Sequence, residues 1–156
     1  MLLILVIITP IESASAEETT IPGFVTLTYP NLVKLKKTGC QEIPVHYVTD
    51  ENLARENTVF FVAITPFTSR QTFGYAAWFS TQTYRGTNAL PPMARIGTLK
   101  VKVCRSPFLY SGNATKKTPG INPGTYRLYF DAGYLDAQTG DLVGEKIEIA
   151  KVIKFT

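Results

Sequence analysis

Thr98-Leu99-Lys100-Val101-Lys102-Val103-Cys104 alternates strictly: Leu99, Val101 and Val103 are apolar, while Lys100 and Lys102 are charged. Successive side chains of a strand point to opposite faces, so this stretch predicts a half-buried strand with its aliphatic set inward. The same pattern recurs in both directions. Upstream, Cys40 to Val48 puts Ile43, Val45 and Tyr47 on one face, and Phe24 to Tyr29 ends at Pro30-Asn31. Leu32 to Lys37 alternates apolar and basic residues and ends at Gly39. Thr58 to Thr65 is almost continuously apolar, which predicts a central strand covered on both sides. Phe73 to Phe79 follows it. Downstream, Thr125 to Asp131 puts Tyr126, Leu128 and Phe130 on one face, and Lys146 to Phe155 closes the chain. The best helical stretch, Glu51 to Glu56, is barely more than a turn. Short strands separated by Gly, Pro, Asn and Asp predict an all-β sandwich or barrel.

The chain has 156 residues, enough for one domain, and its 45% hydrophobic content is too high for disorder. Leu2 to Ile8 is an unbroken apolar run, and Ala14 and Ala16 supply the small-x-small pattern that a signal peptidase reads. This predicts a signal peptide over residues 1–16 and a single mature domain over 17–156. No Lys or Arg precedes the run, so the terminal amine alone supplies the positive start. The run is too short to span about 30 Å of hydrocarbon, so the mature form is expected to lack a transmembrane segment. The expected location is secreted or extracellular, including periplasmic or cell-surface associated. Losing Glu12 with the leader raises the formal charge from +4 to +5, which favours anionic partners without specifying one. Cys40 and Cys104 are the two cysteines, and in an exported protein such a pair predicts one disulfide.

Asn122-Pro123-Gly124-Thr125-Tyr126-Arg127-Leu128 resembles the entry to the penultimate strand of immunoglobulin-like and fibronectin-III-like sandwiches. There a Tyr hydroxyl bonds back to nearby backbone, the tyrosine corner, and Tyr126 would hold that place. The resemblance implies an immunoglobulin-like, two-sheet antiparallel sandwich of about seven or eight strands. It departs from the antibody pattern in its cysteines, because Leu128 stands where the second Cys would be. In the order the resemblance implies, the Cys40 and Cys104 strands are antiparallel neighbours, with the cysteines opposite each other. The bridge closes a loop of more than sixty residues and contributes about 4 kcal/mol in the chain-entropy treatment.

The chemistry-bearing residues are few. His46 is the only histidine, so any Ser-His-Asp or Cys-His device would need it, and it shares a polar strand face with Glu42. One His and two bridged Cys exclude a histidine-based zinc site, and the Asp136–Asp141 segment lacks calcium-loop spacing and fits a turn better. No metal, cofactor or nucleic-acid motif is expected. Two acids could form a glycosidase pair, but nothing singles one out. Phe73 to Arg85 is rich in aromatics, and Trp78, Tyr84 and Arg85 are candidates for an exposed stacking surface. Lys100 and Lys102 are candidates for a basic one. The sequence therefore predicts a non-enzymatic binding or interaction domain. Its expected partner is an anionic or glycan polymer of the cell envelope, or an extracellular protein. The alternatives are an extracellular glycan hydrolase and a structural subunit that associates through a sheet edge.

Overall fold

A computed structural model of the chain describes residues 15–50, 58–69, 71–79, 83–85, 88–90, 93–109, 117–136 and 142–156. The predicted signal peptide lies outside the described residues, except for Ser15 and Ala16. All regular structure described is β. The first hairpin joins β1 (Ala16–Ile21) to β2 (Val25–Pro30) through Pro22-Gly23. Gly23 has φ +75°, and Phe24 N–H donates to the Ile21 carbonyl at 3.0 Å. Pro followed by a positive-φ Gly is what a type II turn requires.

β4 (Cys40–Thr49) pairs with β2 on one side and with β9 (Ile96–Cys104) on the other. These make a four-stranded antiparallel sheet, β1-β2-β4-β9. The second sheet has five strands in the order β3-β13-β12-β5-β6. Its members are β3 (Leu32–Val33), β5 (Thr58–Thr65), β6 (Gly74–Phe79), β12 (Gly124–Leu135) and β13 (Leu142–Phe155). The chain crosses between sheets at Pro30-Asn31, and β3 then runs parallel to the end of β13. Two small ribbons, β7 (Thr83–Arg85) with β8 (Asn88–Leu90) and β10 (Phe108–Leu109) with β11 (Lys117–Thr118), complete the described structure.

One core lies between the two sheets. Leu27, Ile43, Val45, Leu99, Val101 and Val103 enter it from the four-stranded sheet. Phe60, Val62, Ile64, Trp78, Leu128, Phe130, Ile153 and Phe155 enter it from the five-stranded one. The burial of Ile43, Val45 and Tyr47 against exposed Glu42, Pro44 and His46 is the alternation that the sequence predicts. Burying each aliphatic or aromatic side chain contributes roughly 1.5–3 kcal/mol.

Cys40 and Cys104 are directly paired across β4 and β9 and form the disulfide. At the far edge β6 comes close to β9. A Cβ on Gly74 would run into the Lys102 carbonyl oxygen, so glycine is what lets the two strands approach.

Among the described residues the two main sheets hold nine strands rather than seven or eight. The addition is β1, which the polar run Glu17-Glu18-Thr19-Thr20 hides from a search for apolar alternation. Only Leu32-Val33 of the predicted Leu32–Lys37 strand is a strand. β12 and β13 run several residues longer than expected.

Candidate functional site

The inner faces of both sheets are spent on the core, so a site on the main sheets must use an outer face. On the five-stranded sheet the outward residues of β12 are Arg127, Tyr129 and Asp131, the set alternate to buried Leu128 and Phe130. On β5 they are Phe61, Ala63 and Thr65, alternate to buried Phe60, Val62 and Ile64. The register aligns these residues into rows across the sheet. One row runs Ala150, Tyr129, Ala63, Tyr75, and the next runs Glu148, Asp131, Phe61, Ala77. A third runs Val152, Arg127, Thr65.

Side-chain size along the first row makes a hollow. Tyr129 and Tyr75 lie two strands apart with only a methyl group, Ala63, between them. Strands are about 4.8 Å apart, so the two tyrosine Cα atoms stand about 10 Å apart. The result is a dish of about 360 Å³, lined by Phe61, Ala63, Tyr75, Arg127, Tyr129, Asp131 and Glu148 with Thr65 and Thr72. That volume is within the range of small-ligand sites.

The charges in the dish are mixed. The Arg127 guanidinium donates from Nη2 to the carbonyls of Pro66 (3.0 Å) and Ser69 (3.2 Å), and it stands 6.0 Å from the Phe67 ring centroid. It therefore holds the 66–69 loop at the rim. Asp131 is 9% exposed, and its Cα partner on β13 is exposed Glu148. One guanidinium and two carboxylates leave the dish at a formal −1, opposite in sign to the whole chain at +4. Among the described residues no three His, Cys, Asp or Glu side chains group as a metal site would need.

The residues singled out from sequence fare differently. Trp78 is not a surface residue. It is 1% exposed, stacks on Phe60 with centroids 5.3 Å apart at 13°, and donates from Nε1 to the Ala94 carbonyl at 2.8 Å. The inward set of β6 is Gly74, Ala76 and Trp78, which corrects the expectation that Trp78 stacks on a ligand. Tyr84 and Arg85 lie in β7, away from the five-stranded sheet's pairing, and their side chains lie outside the described residues.

Lys100 and Lys102 are exposed on the outer face of the other sheet, where Lys100 pairs with Glu42 at 3.1 Å and Lys102 lies 5.4 Å from the Phe108 ring centroid. His46 Nδ1 is 2.7 Å from the Thr98 hydroxyl across the strand. The Tyr126 hydroxyl donates to the Asn122 carbonyl at 3.0 Å, and its ring meets Phe73 and Phe155 edge-on. Most of the Asp136–Asp141 segment lies outside the described residues.

The dish itself was not visible in the sequence. Its one signal was the outward set Arg127, Tyr129, Asp131, which is more aromatic and more charged than an ordinary solvated face.

Neither a protein-family model nor a curated protein matches the sequence. Among solved structures, the chain is similar to AggA, the major subunit of aggregative adherence fimbriae type I from Escherichia coli. The identity is 14%, over 91% of this chain and 95% of that one, with a TM-score of 0.35. A likeness at that score transfers neither fold nor function.

Proposed function

We propose that the chain is a secreted binding domain of immunoglobulin-like sandwich build that holds its ligand in the dish on the outer face of the five-stranded sheet. The observation that carries this is the Tyr129–Ala63–Tyr75 row. Two rings flanking a methyl floor leave apolar walls facing solvent, and Arg127, Asp131 and Glu148 put directional polar groups among them. Apolar walls with a few convergent polar groups are the usual make-up of a ligand site. The basic face is a poorer candidate, because Glu42 already pairs with Lys100.

A second reading has one observation behind it. Asp131 and Glu148 are cross-strand partners, which supplies the acid pair that a glycan hydrolase would need. Glycosidase carboxyls flank the scissile bond, however, and these two lie on one side of the tyrosine row. A binding role is therefore favoured, and loss of turnover in Asp131→Asn would reverse that preference.

The test is amide chemical-shift mapping of labelled protein, residues 17–156, against a soluble extract of the surface polymers of the cells that make it. Shifts gathered at Ala63, Tyr75 and Tyr129 are expected. Shifts confined to the Lys100 and Lys102 face would overturn the assignment.

A further inference from the structure

We infer that the disulfide end of the sandwich is a docking surface for an anionic lipid bilayer, an inference independent of the dish. The strand directions gather bases there. β4 begins at this end, β9 and β13 finish at it, and the β3–β4 connection crosses it. Lys34, Lys36, Lys37, Lys102, Lys117 and Lys154 are all exposed. Lys100 and Glu42 cancel as a pair, and in the same sheet the next carboxylate side chains are Glu17 and Glu18 of β1. Even with both counted, six lysines against two carboxylates leave a formal +4, the net charge of the whole chain. Asp50 and Asp136 follow the last residues of β4 and β12 and so lie at the opposite end. Charge is therefore separated along the strands, and an anionic surface attracts the basic end first.

The same end is braced and carries an apolar tip. The Gln41 side chain accepts the Lys36 N–H at 2.7 Å and donates to the Lys34 carbonyl at 3.2 Å, while the Leu35 N–H donates to the Thr156 carbonyl at 2.8 Å. These bonds tie the lysine-rich connection to both sheets. The Cys40–Cys104 bridge and the bond from the Arg105 N–H to the Gly39 carbonyl, at 2.9 Å, fix its far side. Lysines on a braced backbone lose less freedom on binding than lysines on a loose loop. Past Cys104, the β10–β11 ribbon carries Leu109, 53% exposed, with Lys117 as its cross-strand partner. Its neighbour Phe108 is half-buried, and Lys102 Nζ lies 5.4 Å from that ring centroid. An exposed aliphatic side chain flanked by lysines suits a membrane interface. The aliphatic group enters the acyl boundary and the lysine stems follow it, with their charges left among the headgroups. A soluble polyanion would attract the lysines equally but gain nothing from Leu109, so a lipid surface is the partner that uses both features. End-on docking leaves both outer sheet faces open, the dish included.

The experiment is co-sedimentation of residues 17–156 with vesicles of phosphatidylcholine alone, or of phosphatidylcholine with about one-third phosphatidylglycerol, at about 0.1 M and about 0.5 M salt. The parent is compared with a Lys36→Glu, Lys37→Glu double variant and with Leu109→Ser. All three positions are exposed, and thermal melts confirm that each variant is folded. The parent should sediment with the anionic vesicles at the lower salt, release at the higher, and ignore the neutral ones. One lysine at such a surface is worth roughly fivefold in partition, so reversing two charges should weaken attachment about 25-fold or more. Leu109→Ser should weaken it roughly threefold or more. Failure to sediment with the anionic vesicles would overturn the inference, as would sedimentation that the double lysine variant leaves intact. Attachment that needs the lysines but is unchanged in Leu109→Ser, and that soluble polyphosphate releases completely, would overturn the bilayer in favour of a soluble polyanion.

Discussion

Trp78→Phe separates a core tryptophan from a ligand-stacking one. The substitution keeps a ring against Phe60 but deletes the indole N–H that donates to the Ala94 carbonyl. Ala94 is exposed, so water can satisfy the vacated carbonyl, and the lost bond costs near the low end of its range, about 1 kcal/mol. The smaller ring also gives up buried apolar area between Phe60 and Tyr47, which adds about 1–2 kcal/mol. The sum, about 2–3 kcal/mol, is a large part of a stability of roughly 5–15 kcal/mol. Trp78→Ala should cost more, about 3–5 kcal/mol, because the cavity it leaves is closed in by packed neighbours. Urea titration followed by far-UV circular dichroism reads both values and does not depend on the residue being replaced. Thermal melts should fall by several degrees for each kcal/mol. A change below about 0.5 kcal/mol for Trp78→Phe, the range of ordinary surface substitutions, would refute the inward orientation of β6 and the sheet register on which the dish depends.

Further outcomes follow from the same contacts. Replacing both Cys40 and Cys104 by Ala should lower stability by up to about 4 kcal/mol, read by urea titration, because the bridge closes a loop with a sequence separation of 64. Gly74→Ala should destabilise by about 1–3 kcal/mol in the same assay, since its methyl group meets the Lys102 backbone where β6 approaches β9. Lys100→Ala should cost less than about 1 kcal/mol, because its pairing with Glu42 is solvent-exposed and screened. Burial first, and then the nearby Glu17 charge, pushes the Tyr29 hydroxyl up from 10.0 to about 12. The folded state thus favours the neutral phenol. Its contribution is complete below pH 10 and is lost as the pH rises toward 12, so absorbance titration near 295 nm should show tyrosine ionisation extending above the ordinary range, together with alkaline unfolding, and Tyr29→Phe should remove its latest part.

Much of the framework could be read from residue order alone. Thr58–Thr65 is a strand with the predicted ends, because its run of β-branched and aromatic residues is bounded by Asn57 and Pro66. Cys40 and Cys104 face each other because one opens β4 and the other closes β9. The failures have specific causes. β6 has small residues, Gly74, Ala76 and Ala77, on both faces, so hydrophobic alternation does not choose its inward side or reveal that Trp78 points into the core. β1 carries no apolar alternation because its edge position leaves Glu17, Glu18 and Thr20 in solvent. The Ile21-Pro22-Gly23-Phe24 turn was the better clue to it. The dish escaped for a different reason. Its floor is an alanine, and its walls come from β5, β6 and β12, which only the strand order and register bring together.

Which outer face binds is decided by the affinity of Ala63→Tyr for the surface extract beside that of a Lys100→Ala, Lys102→Ala double variant. Both should remain folded, since all three positions face outward. Filling the floor at Ala63 should abolish retention while the lysine variant binds like the parent. Retention that survives at Ala63→Tyr and disappears with the lysines would contradict it and move the binding surface to the outer face of β4 and β9.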